Sequence, residues 1–378
     1  MSRLVLVTGG AGFIGSHLVD ALLARGDRVR VLDDFSTGRR ENLAHCLADI
    51  KLFEGDVRDP GLVGRAVAGC DAVLHEAAVA SVTRSLEDPV GTTSVTYGGT
   101  VNVADQARRA GAGGFVLASS CAVYGDTAAL PIGEDSPPHP LSPYALAKLR
   151  SEGVCGPGPL RPAERLSGRL SGSGEGDDGR QAAADEGSRV MCAVSLRYFN
   201  VYGPRQDPSS EYSGVIARFM EVAAARASAR YEEGGDRQAA RPDGPPYVVY
   251  GDGRQSRDFV YVTDVVAANL RALDACLGGG PATTAAVDGA VVNVGTGVCV
   301  DLLEIIRLAE GLSGARGTGD GGLEEAIDFR APREGDITAS QADIALARRL
   351  LGYEPVVGFA KGLAATFEWY LTQIGQTS

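Results

Sequence analysis

The sequence predicts an α/β protein built around a doubly wound parallel sheet. In the first 150 residues, short continuous apolar runs alternate with helical patterns. A glycine-rich turn separates the first apolar run from the first helical pattern. Continuous apolar runs are typical of strands buried on both faces, and strands separated by helices are joined by right-handed crossovers.

The elements follow in order along the chain. Strands are predicted at 4–7, 29–32, 52–53, 72–74 and 115–118, with helices at 13–25 and 100–110. Further apolar runs occur at 194–201, 247–250 and 291–294, and a helix is predicted at 302–312. Between the two halves, residues 156–188 are rich in Gly, Ser, Arg and acidic residues. Such a segment buries too little apolar surface to offset its ordering entropy, so we predict a flexible surface insertion. Two shorter polar stretches, 226–246 and 313–322, are similar.

Composition excludes several classes of function. The 378 residues carry a formal net charge of −12, which disfavours sequence-independent nucleic-acid binding. Seven scattered cysteines without a C-x-x-C motif and four histidines argue against a disulfide framework or a metal module, and fit a reducing cytoplasm. No apolar run approaches a membrane span, and no signal peptide is evident, so we expect a cytoplasmic protein with no membrane partner.

A glycine motif predicts a phosphate cradle. Gly9, Gly12 and Gly15 follow the first strand and open the first helix. Glycines let the backbone approach a pyrophosphate, and the helix N-terminus adds N–H donors and a partial positive charge. Asp33 ends the second strand, where a carboxylate binds ribose hydroxyls and repels a 2′-phosphate, so NAD is preferred over NADP. Asp34 shares this role or lies in a solvated turn.

Three polar residues predict a site for alcohol chemistry. Tyr144 and Lys148 are four residues apart and share a face if the segment is helical. A Lys ammonium beside a phenol is expected to lower the Tyr pKa toward neutrality and make a general base. Ser120 follows the strand at 115–118, at the edge where parallel sheets present their sites.

The motifs of the whole chain carry a family resemblance. In order they are TGGAGFIGSH, LDDFSTG, GDVRD, SSCAVYG, YALAK, LRYFNVYGPRQ, GDGRQSRDFVYVTDV, NVGTG and REGD. Together they resemble the extended short-chain dehydrogenase/reductases, in particular the NAD-dependent nucleotide-sugar epimerases and dehydratases. The resemblance implies a Rossmann domain over residues 1–193. It implies a smaller, discontinuous α/β domain for the substrate, mainly over 194–378, with segments that return to the first domain. It also implies a homodimer.

The resemblance assigns roles to residues. Tyr144 takes a proton from a sugar hydroxyl, Ser120 bonds the same oxygen, and Lys148 also holds the nicotinamide ribose, while hydride passes to tightly bound NAD⁺. The expected cofactor residues are Gly9, Gly12, Phe13, Ile14, Gly15, Asp33, Asp34, Phe35, Ser36, Gly38, Asp56, Val57, Ala77, Ala78, Val79, Thr96, Tyr144, Lys148 and Phe199. The expected UDP-sugar residues are Ala80, Ser120, Cys121, Ala122, Tyr144, Asn200, Gly214, Val215, Val248, Tyr250, Arg257, Arg333, Asp336 and Ser340.

The positions after Ser120 favour simple epimerisation at C4. Dehydrating members of the family carry Asp-Glu there and decarboxylating members a Glu, whereas this chain has Cys121 and Ala122. A 4,6-dehydratase or C4 oxidoreductase remains the alternative, and a non-catalytic NAD-bound module is the third. The sugar stays open among UDP-glucose, UDP-N-acetylglucosamine and UDP-glucuronic acid types. Small Ser340 would admit an N-acetyl group, and Arg205 or Arg84 could pair with a carboxylate.

Two residues depart from the family pattern. Thr96 stands where an Asn usually bonds near the cofactor, which puts cofactor affinity or rate in question. Glu76, in HEAA, occupies a position that is commonly neutral or apolar. The sequence assigns Glu76 no role.

Overall fold

The computed structural model describes residues 2–127, 129–156, 191–208, 214–232, 244–314, 323–332 and 338–376. The predicted insertion at 156–188 lies outside these residues apart from Gly156, and so do Arg333 and Asp336. The strands are β1 Leu4–Thr8, β2 Arg28–Asp33, β3 Ile50–Glu54, β4 Ala72–His75, β5 Gly114–Ser120, β6 Cys192–Tyr198, β7 Asn200–Tyr202, β8 Tyr247–Tyr250, β9 Ser256–Tyr261, β10 Val291–Val294, β11 Cys299–Asp301, β12 Ile327–Arg330 and β13 Ala339–Ser340.

The α-helices lie between these strands. They are α1 Phe13–Ala24, α2 Pro60–Val67, α3 Val82–Glu87, α4 Pro89–Thr93, α5 Gly99–Arg109, α6 Pro143–Cys155, α7 Val215–Glu232, α8 Val262–Cys276, α9 Thr284–Val287, α10 Leu302–Leu312, α11 Ala345–Leu351 and α12 Phe359–Gln376. Short 3₁₀ turns span Arg40–Cys46 and Cys121–Tyr124, and a π-helical turn spans Ser94–Gly98.

The predicted doubly wound parallel sheet is confirmed. Seven strands pair in the order β10-β6-β5-β4-β1-β2-β3, and every pairing is parallel. The strands β1 and β4 are buried at every residue, as their continuous apolar sequences predict. Helices α1 and α8 pack together, as do α2, α5 and α6, and the two groups bury separate hydrophobic cores. The apolar run at 194–201 is two strands rather than one, because the chain leaves β6 at Phe199 and starts β7 in another sheet.

A third hydrophobic core lies in the later part of the chain. The strands β7, β11 and β13 pair with β9, and β8 pairs with β12. Helices α7, α10 and α12 surround a core with Met220, Ile306 and Leu363 at its centre. Strands β6 and β10 come from this later part of the sequence yet complete the large sheet. The division into domains at residue 193 stays a prediction.

One polar stretch is more ordered than we expected. Arg226 begins the stretch 226–246, but it lies within α7 and is 2% exposed. Its Nε donates to Glu310 Oε1 on α10 at 2.8 Å, and the Tyr247 hydroxyl donates to the same carboxylate at 3.0 Å. The expectation of a solvated segment is therefore wrong at Arg226, because an ion pair that is distant in sequence satisfies its charge.

Among the helices of the described residues, none combines the length and hydropathy needed to cross a membrane.

Candidate active site

The glycine motif forms a tight turn between β1 and α1. Gly9 has φ +67°, and a Cβ there would lie 2.8 Å from the Ala77 nitrogen. A Cβ on Gly15 would lie 2.1 Å from the Gly9 oxygen. Gly12 caps α1 without any side-chain hydrogen bond, and Phe13 and Ile14 form its first turn. The partly exposed helix N-terminus and close-packed glycines fit a dinucleotide pyrophosphate.

Asp33 is positioned at the end of β2 as predicted. Its carboxylate accepts the Ala11 N–H and the Phe35 N–H, each at 2.8 Å. A Cβ on Gly38 would lie 2.7 Å from Asp33 Oδ1, so this glycine lets the following loop close over the carboxylate. Burial raises the pKa of Asp33, although both backbone donors oppose that rise. Each carboxylate oxygen keeps lone pairs that suit ribose hydroxyls.

The neighbouring predicted residues lie at the same sheet edge. Asp34 is exposed, and its carboxylate accepts the Ser36 N–H at 2.9 Å and the Ser36 hydroxyl at 2.6 Å. Of the two alternatives for Asp34, these contacts fit the one in which it lies in a solvated turn. Phe35 adopts φ +57°, and the Arg40 guanidinium stacks 4.2 Å from its ring.

The remaining predicted cofactor residues follow β3, β4 and β6. Asp56 pairs with Arg58, which lowers the pKa of Asp56, and buried Val57 packs on α5 at Gly99. Phe199 is 3% exposed and its ring contacts Tyr124 in the core. The segment that follows β4 passes close to Gly9 of the glycine turn. It contains Ala77, Ala78, Val79 and Ala80.

Thr96 is a structural link for that segment. Its hydroxyl accepts the Val79 N–H at 3.2 Å, and its carbonyl accepts the Thr100 hydroxyl at 2.6 Å. The residue is buried in the π-helical turn before α5. Thr96 therefore holds the loop after β4 through a hydroxyl, where an Asn would offer an amide.

The structure brings Ser120, Tyr144 and Lys148 together at the end of β5. The Ser120 side chain lies close enough to the Tyr144 phenol to lower the pKa of Tyr144, and Lys148 Nζ lies 6.0 Å from the centroid of the Tyr144 ring. Ser142 caps α6 by accepting the Ala145 N–H, which starts the helix at Pro143 and places Tyr144 in its first turn. Lys148 is 4% exposed, and its Nζ donates to the Ala118 carbonyl of β5 at 2.6 Å.

The pKa values in this site correct one expectation. Burial raises the pKa of Tyr144 to about 12, and the hydrogen bond from Ser120 only partly opposes this rise. Burial also lowers the pKa of Lys148 to about 8. The predicted depression of the Tyr144 pKa is therefore wrong for the protein alone, because desolvation of the phenolate is the largest effect and the charges of Cys121 and Glu76 add to the rise.

Cys121 and Ala122 follow Ser120 in a 3₁₀ turn, and the Ala122 N–H bonds the Ser120 oxygen at 3.2 Å. Burial raises the pKa of the Cys121 thiol to about 12, which favours a neutral thiol over a nucleophile. Neither residue supplies an acid or base for dehydration.

A cavity of about 410 Å³ lies in the second half of the molecule. Six predicted substrate residues line it: Asn200, Gly214, Val215, Val248, Tyr250 and Arg257. Seven further lining residues were not predicted: Val201, Tyr202, Gln206, Ile216, Gln255, Phe259 and Leu302. Gln206 and Gln255 lie inside motifs quoted above, GPRQ and GDGRQS, so their motif membership was the available signal.

Strand β9 anchors one wall of this cavity. Arg257 Nη1 donates to the Ser256 carbonyl at 2.9 Å, and Ser340 pairs with Arg257 in the sheet. Asn200 Nδ2 donates to the Asp258 carbonyl at 3.1 Å and lies 3.5 Å from Ser340 Oγ. Asp258 is fully buried, and it accepts the N–H groups of Thr296, Gly297 and Ala342. Ser340 is thus held beside Asn200 and Arg257, which line the cavity.

A cluster of possible metal ligands lies elsewhere. Ligand atoms of Asp20, His45 and Cys46 lie within 4.8 Å of one another. Asp20 already pairs with Arg205 at 2.7 Å and with His45 at 2.7 Å, and Cys46 is buried. The absence of a functional metal stays a prediction.

Comparison with known proteins identifies related chains. A family model described as the NAD dependent epimerase/dehydratase family matches residues 5–156 and 179–295. The UDP-glucose 4-epimerase of Mycolicibacterium smegmatis is 37% identical over 370 residues, which cover 97% of each chain. The structure of Thermotoga maritima UDP-glucose 4-epimerase with UDP-glucose matches with a TM-score of 0.76 and 29% identity, covering 98% of this chain and 99% of that one. The UDP-N-acetylglucosamine 4-epimerase of Methanobrevibacter ruminantium, in complex with UDP-N-acetylmuramic acid, matches with a TM-score of 0.74 and 27% identity, covering 98% and 99%.

Proposed function

Because the chain belongs to the NAD-dependent epimerase/dehydratase family, we propose that it epimerises UDP-hexoses at C4 through a transient 4-keto sugar. The observation that carries this proposal is the grouping of Ser120, Tyr144 and buried Lys148 at the end of β5, with Cys121 and Ala122 directly after Ser120. These residues support proton exchange at one alcohol, and the neighbouring positions offer no second acid–base pair.

In the proposed reaction, the Tyr144 oxygen takes the proton of the sugar 4-hydroxyl, and Ser120 orients that hydroxyl. NAD, which the glycine turn after β1 and Asp33 would hold, would supply a reversible hydride acceptor for C4 of the sugar. The ammonium of Lys148 stabilises the Tyr144 phenolate, which burial alone disfavours. Tyr144 returns the proton after the keto sugar presents its other face, so no net redox change occurs.

We propose that the 410 Å³ cavity binds the UDP moiety. Val248 and Tyr250 alternate with buried Tyr247 and Val249 on β8, so their side chains turn toward the cavity and suit an aromatic base. Arg257 supplies a guanidinium for the diphosphate, as Arg333 does in the resemblance. Asn200 adds an amide at the sugar end, beside Ser340.

For the sugar, we propose that small Ser340 admits substituents at C2, so that both UDP-glucose and UDP-N-acetylglucosamine are substrates. A UDP-glucuronic acid type is less supported, because Asp20 already pairs with the Arg205 guanidinium. The test is ¹H NMR of the purified protein with a panel of the three UDP-sugars. Appearance of a 4-epimer supports the proposal, whereas an alkali-absorbing keto product indicates a dehydratase or oxidoreductase. Bound NAD with no turnover indicates a non-catalytic module.

The variant Ser340→Tyr tests the role of this residue. A bulky side chain next to the lining residue Asn200 should abolish turnover of UDP-N-acetylglucosamine while UDP-glucose is still converted. Equal losses with both sugars would contradict a role in size selection. The matched control is Ser313→Ala, at the C-terminal end of α10 and away from the cavity-lining residues.

We also propose a cytoplasmic homodimer. Leu86 on α3, Val90 on α4 and Leu146 on α6 are 63%, 78% and 38% exposed, and these helices pack together, which leaves an apolar surface suited to a second copy. Light scattering of the wild type should give a dimer mass and Val90→Asp a monomer mass. A wild-type monomer would contradict the dimer, and recovery of the protein outside the cytoplasmic fraction would contradict the location.

A further inference from the structure

Glu76 is a carboxylate that the proposed chemistry does not use. The residue before it, His75, pairs with Leu117 of β5, so Glu76 is level with Ala118, whose carbonyl accepts Lys148 Nζ at 2.6 Å. Glu76 directly follows β4, and its N–H donates to the Thr8 carbonyl at 3.1 Å. Strands β4 and β6 lie on either side of β5, and Tyr198 is the last residue of β6. The Tyr198 hydroxyl donates to Glu76 Oε1 at 2.8 Å. The two side chains therefore meet across the end of β5, the strand that carries Ser120.

The hydrogen bonds around Tyr198 fit an ionised Glu76. Asn269 Nδ2, on α8, donates to the Tyr198 oxygen at 2.8 Å and to the Val265 carbonyl at 2.9 Å. The Tyr198 hydroxyl has one proton, and Glu76 Oε1, at 2.8 Å, is a nearer acceptor for it than Asn269 Oδ1, at 3.1 Å. A carboxylate that accepts such a bond is stabilised in its charged form.

Lys148 needs a negative partner. It is a buried ammonium, and a buried charge is unfavourable unless an opposite charge balances it. The titratable groups that act on it or face it are Tyr144 and Glu152 of its own helix and His75 and Glu76 of the β4 segment. His75 is held between the hydroxyls of Thr8 and Thr100, and burial lowers its pKa to about 3, so it carries no charge.

Glu152 already forms an ion pair with another cation, the Arg197 guanidinium. Its carboxylate accepts Arg197 Nε and Nη2, both at 2.8 Å, and the Ser119 hydroxyl at 2.6 Å. The Arg197–Glu152 pair is neutral as a unit. Of the carboxylates that act on Lys148 in the described structure, Glu76 is therefore the one without a cation of its own.

We propose that Glu76 is the counter-ion of Lys148, held in place by Tyr198 and Asn269, and that it keeps the lysine protonated. Glu76 affects the reaction only through the charge of Lys148, so it is a positioning residue and not a catalytic one. Burial shifts the pKa of Glu76 up to about 7 and that of Lys148 down to about 8, while the charge of each residue opposes the shift of the other. The inference rests on the proposed function only in that Lys148 serves Tyr144.

The chain offers a direct measurement of the Lys148 charge. It contains three lysines, Lys51, Lys148 and Lys361, and Lys51 and Lys361 are exposed. Protein labelled with ¹³Cε-lysine should give three ε-methylene signals, and loss of one signal in Lys148→Arg assigns Lys148. The pH titration of this signal in the purified protein reports the protonation of Lys148 without reference to turnover.

Neutral replacements of Glu76 should lower the Lys148 midpoint. In Glu76→Gln and Glu76→Leu we expect a fall of about one pH unit, since removing a nearby opposite charge has an effect of this order. Either variant that folds suffices, because Tyr198 retains an alternative acceptor, Asn269 Oδ1, at 3.1 Å. The loss of turnover at high pH should shift to lower pH by the same amount. An unchanged midpoint in a folded variant overturns the proposal even if epimerase activity is intact.

Two controls separate charge from structure. Glu87→Gln removes an exposed carboxylate at the end of α3 and should leave the Lys148 midpoint unchanged. Tyr198→Phe removes the hydrogen bond to Glu76 but keeps the charge, so it should lower thermal stability and shift the midpoint by much less than Glu76→Gln. Equal midpoint shifts in Tyr198→Phe and Glu76→Gln would show that the hydrogen bond, and not the charge, controls Lys148, and would contradict the proposal.

Discussion

The dinucleotide cradle and the UDP cavity are built in different ways. The cradle uses backbone groups and glycines of one strand–turn–helix unit, closed by Asp33 at the end of the adjacent strand. The cavity draws its walls from β7, α7, β8, β9 and the start of α10, and its contacts are made by side chains. The cradle is therefore specified locally, whereas the cavity exists only after distant segments have packed.

The largest effect is expected at Tyr144 on α6, which is not among the cavity-lining residues. Tyr144→Phe should lower turnover by ~10²–10⁴-fold, because it removes the group that exchanges the substrate proton. Bound NAD and UDP affinity should both persist, since neither the cradle nor the cavity changes. Steady-state kinetics, NAD content and UDP calorimetry test this together. An unaffected rate would remove Tyr144 from the mechanism.

Breaking the Arg226–Glu310 ion pair should destabilise the later part of the chain, which forms the cavity, and should leave the cofactor cradle intact. Arg226→Met leaves Glu310 buried without its cation, at a cost of about 3–5 kcal/mol in the free energy of unfolding. UDP binding should weaken because Tyr247 of β8 bonds the same carboxylate. Chemical denaturation measures the loss, and the exposed pair Arg307–Glu304 provides the control, with Arg307→Met costing about 0–1 kcal/mol. Equal losses in the two variants would refute this assignment.

Removing a cavity cation should weaken the substrate and spare the cofactor. Arg257→Ala should raise the KM for the UDP-sugar by ~10–100-fold, as expected for a hydrogen bond to a charged group of about 1.5–3 kcal/mol. The NAD content of the purified protein should stay at the wild-type level. A fall in NAD content with an unchanged KM would reverse the assignment of Arg257.

A substitution in the cradle should have the opposite effect, weakening the binding of the cofactor and not that of the substrate. Gly15→Ala places a methyl group against the Gly9 carbonyl, and such overpacking costs ~1–3 kcal/mol. NAD content and thermal stability should fall, while UDP affinity is retained. Gly311→Ala, in α10 with open space around the added methyl group, is the matched control and should stabilise the protein by about 0.5–1 kcal/mol. Similar losses in both glycine variants would show a general effect of added side chains.

The contrast also explains which features could be predicted from the sequence. The strands of the first half and the cradle follow from contiguous patterns, since a glycine turn after an apolar run specifies both at once. The shared face of Tyr144 and Lys148 follows from helical spacing, and α6 confirms that spacing. The split of 194–201 into two strands could not be predicted, because it depends on two different pairing partners.

Features set by distant partners were missed for the same reason. From the sequence alone, Arg226 is predicted to be a solvated charge, because its partner Glu310 is distant in the chain. Glu76 has no role in the sequence analysis because its contacts with Tyr198 and Asn269 depend on the fold. The direction of the Tyr144 pKa shift depends on burial by several elements, which no local motif encodes. Gln206 and Gln255 reach the cavity only through the packing of separate segments.

The order of the large sheet has a consequence for dissecting the protein. Strand β5 is an interior strand because β6, supplied from the far side of the insertion, covers its open edge. A fragment that stopped before Cys192 would keep the pairing of β5 with β4, but the backbone donors and acceptors of Gly114–Ser120 that face β6 would be unpaired along an apolar strand. Such an edge is a template for intermolecular pairing, so the isolated cofactor half should be prone to aggregation.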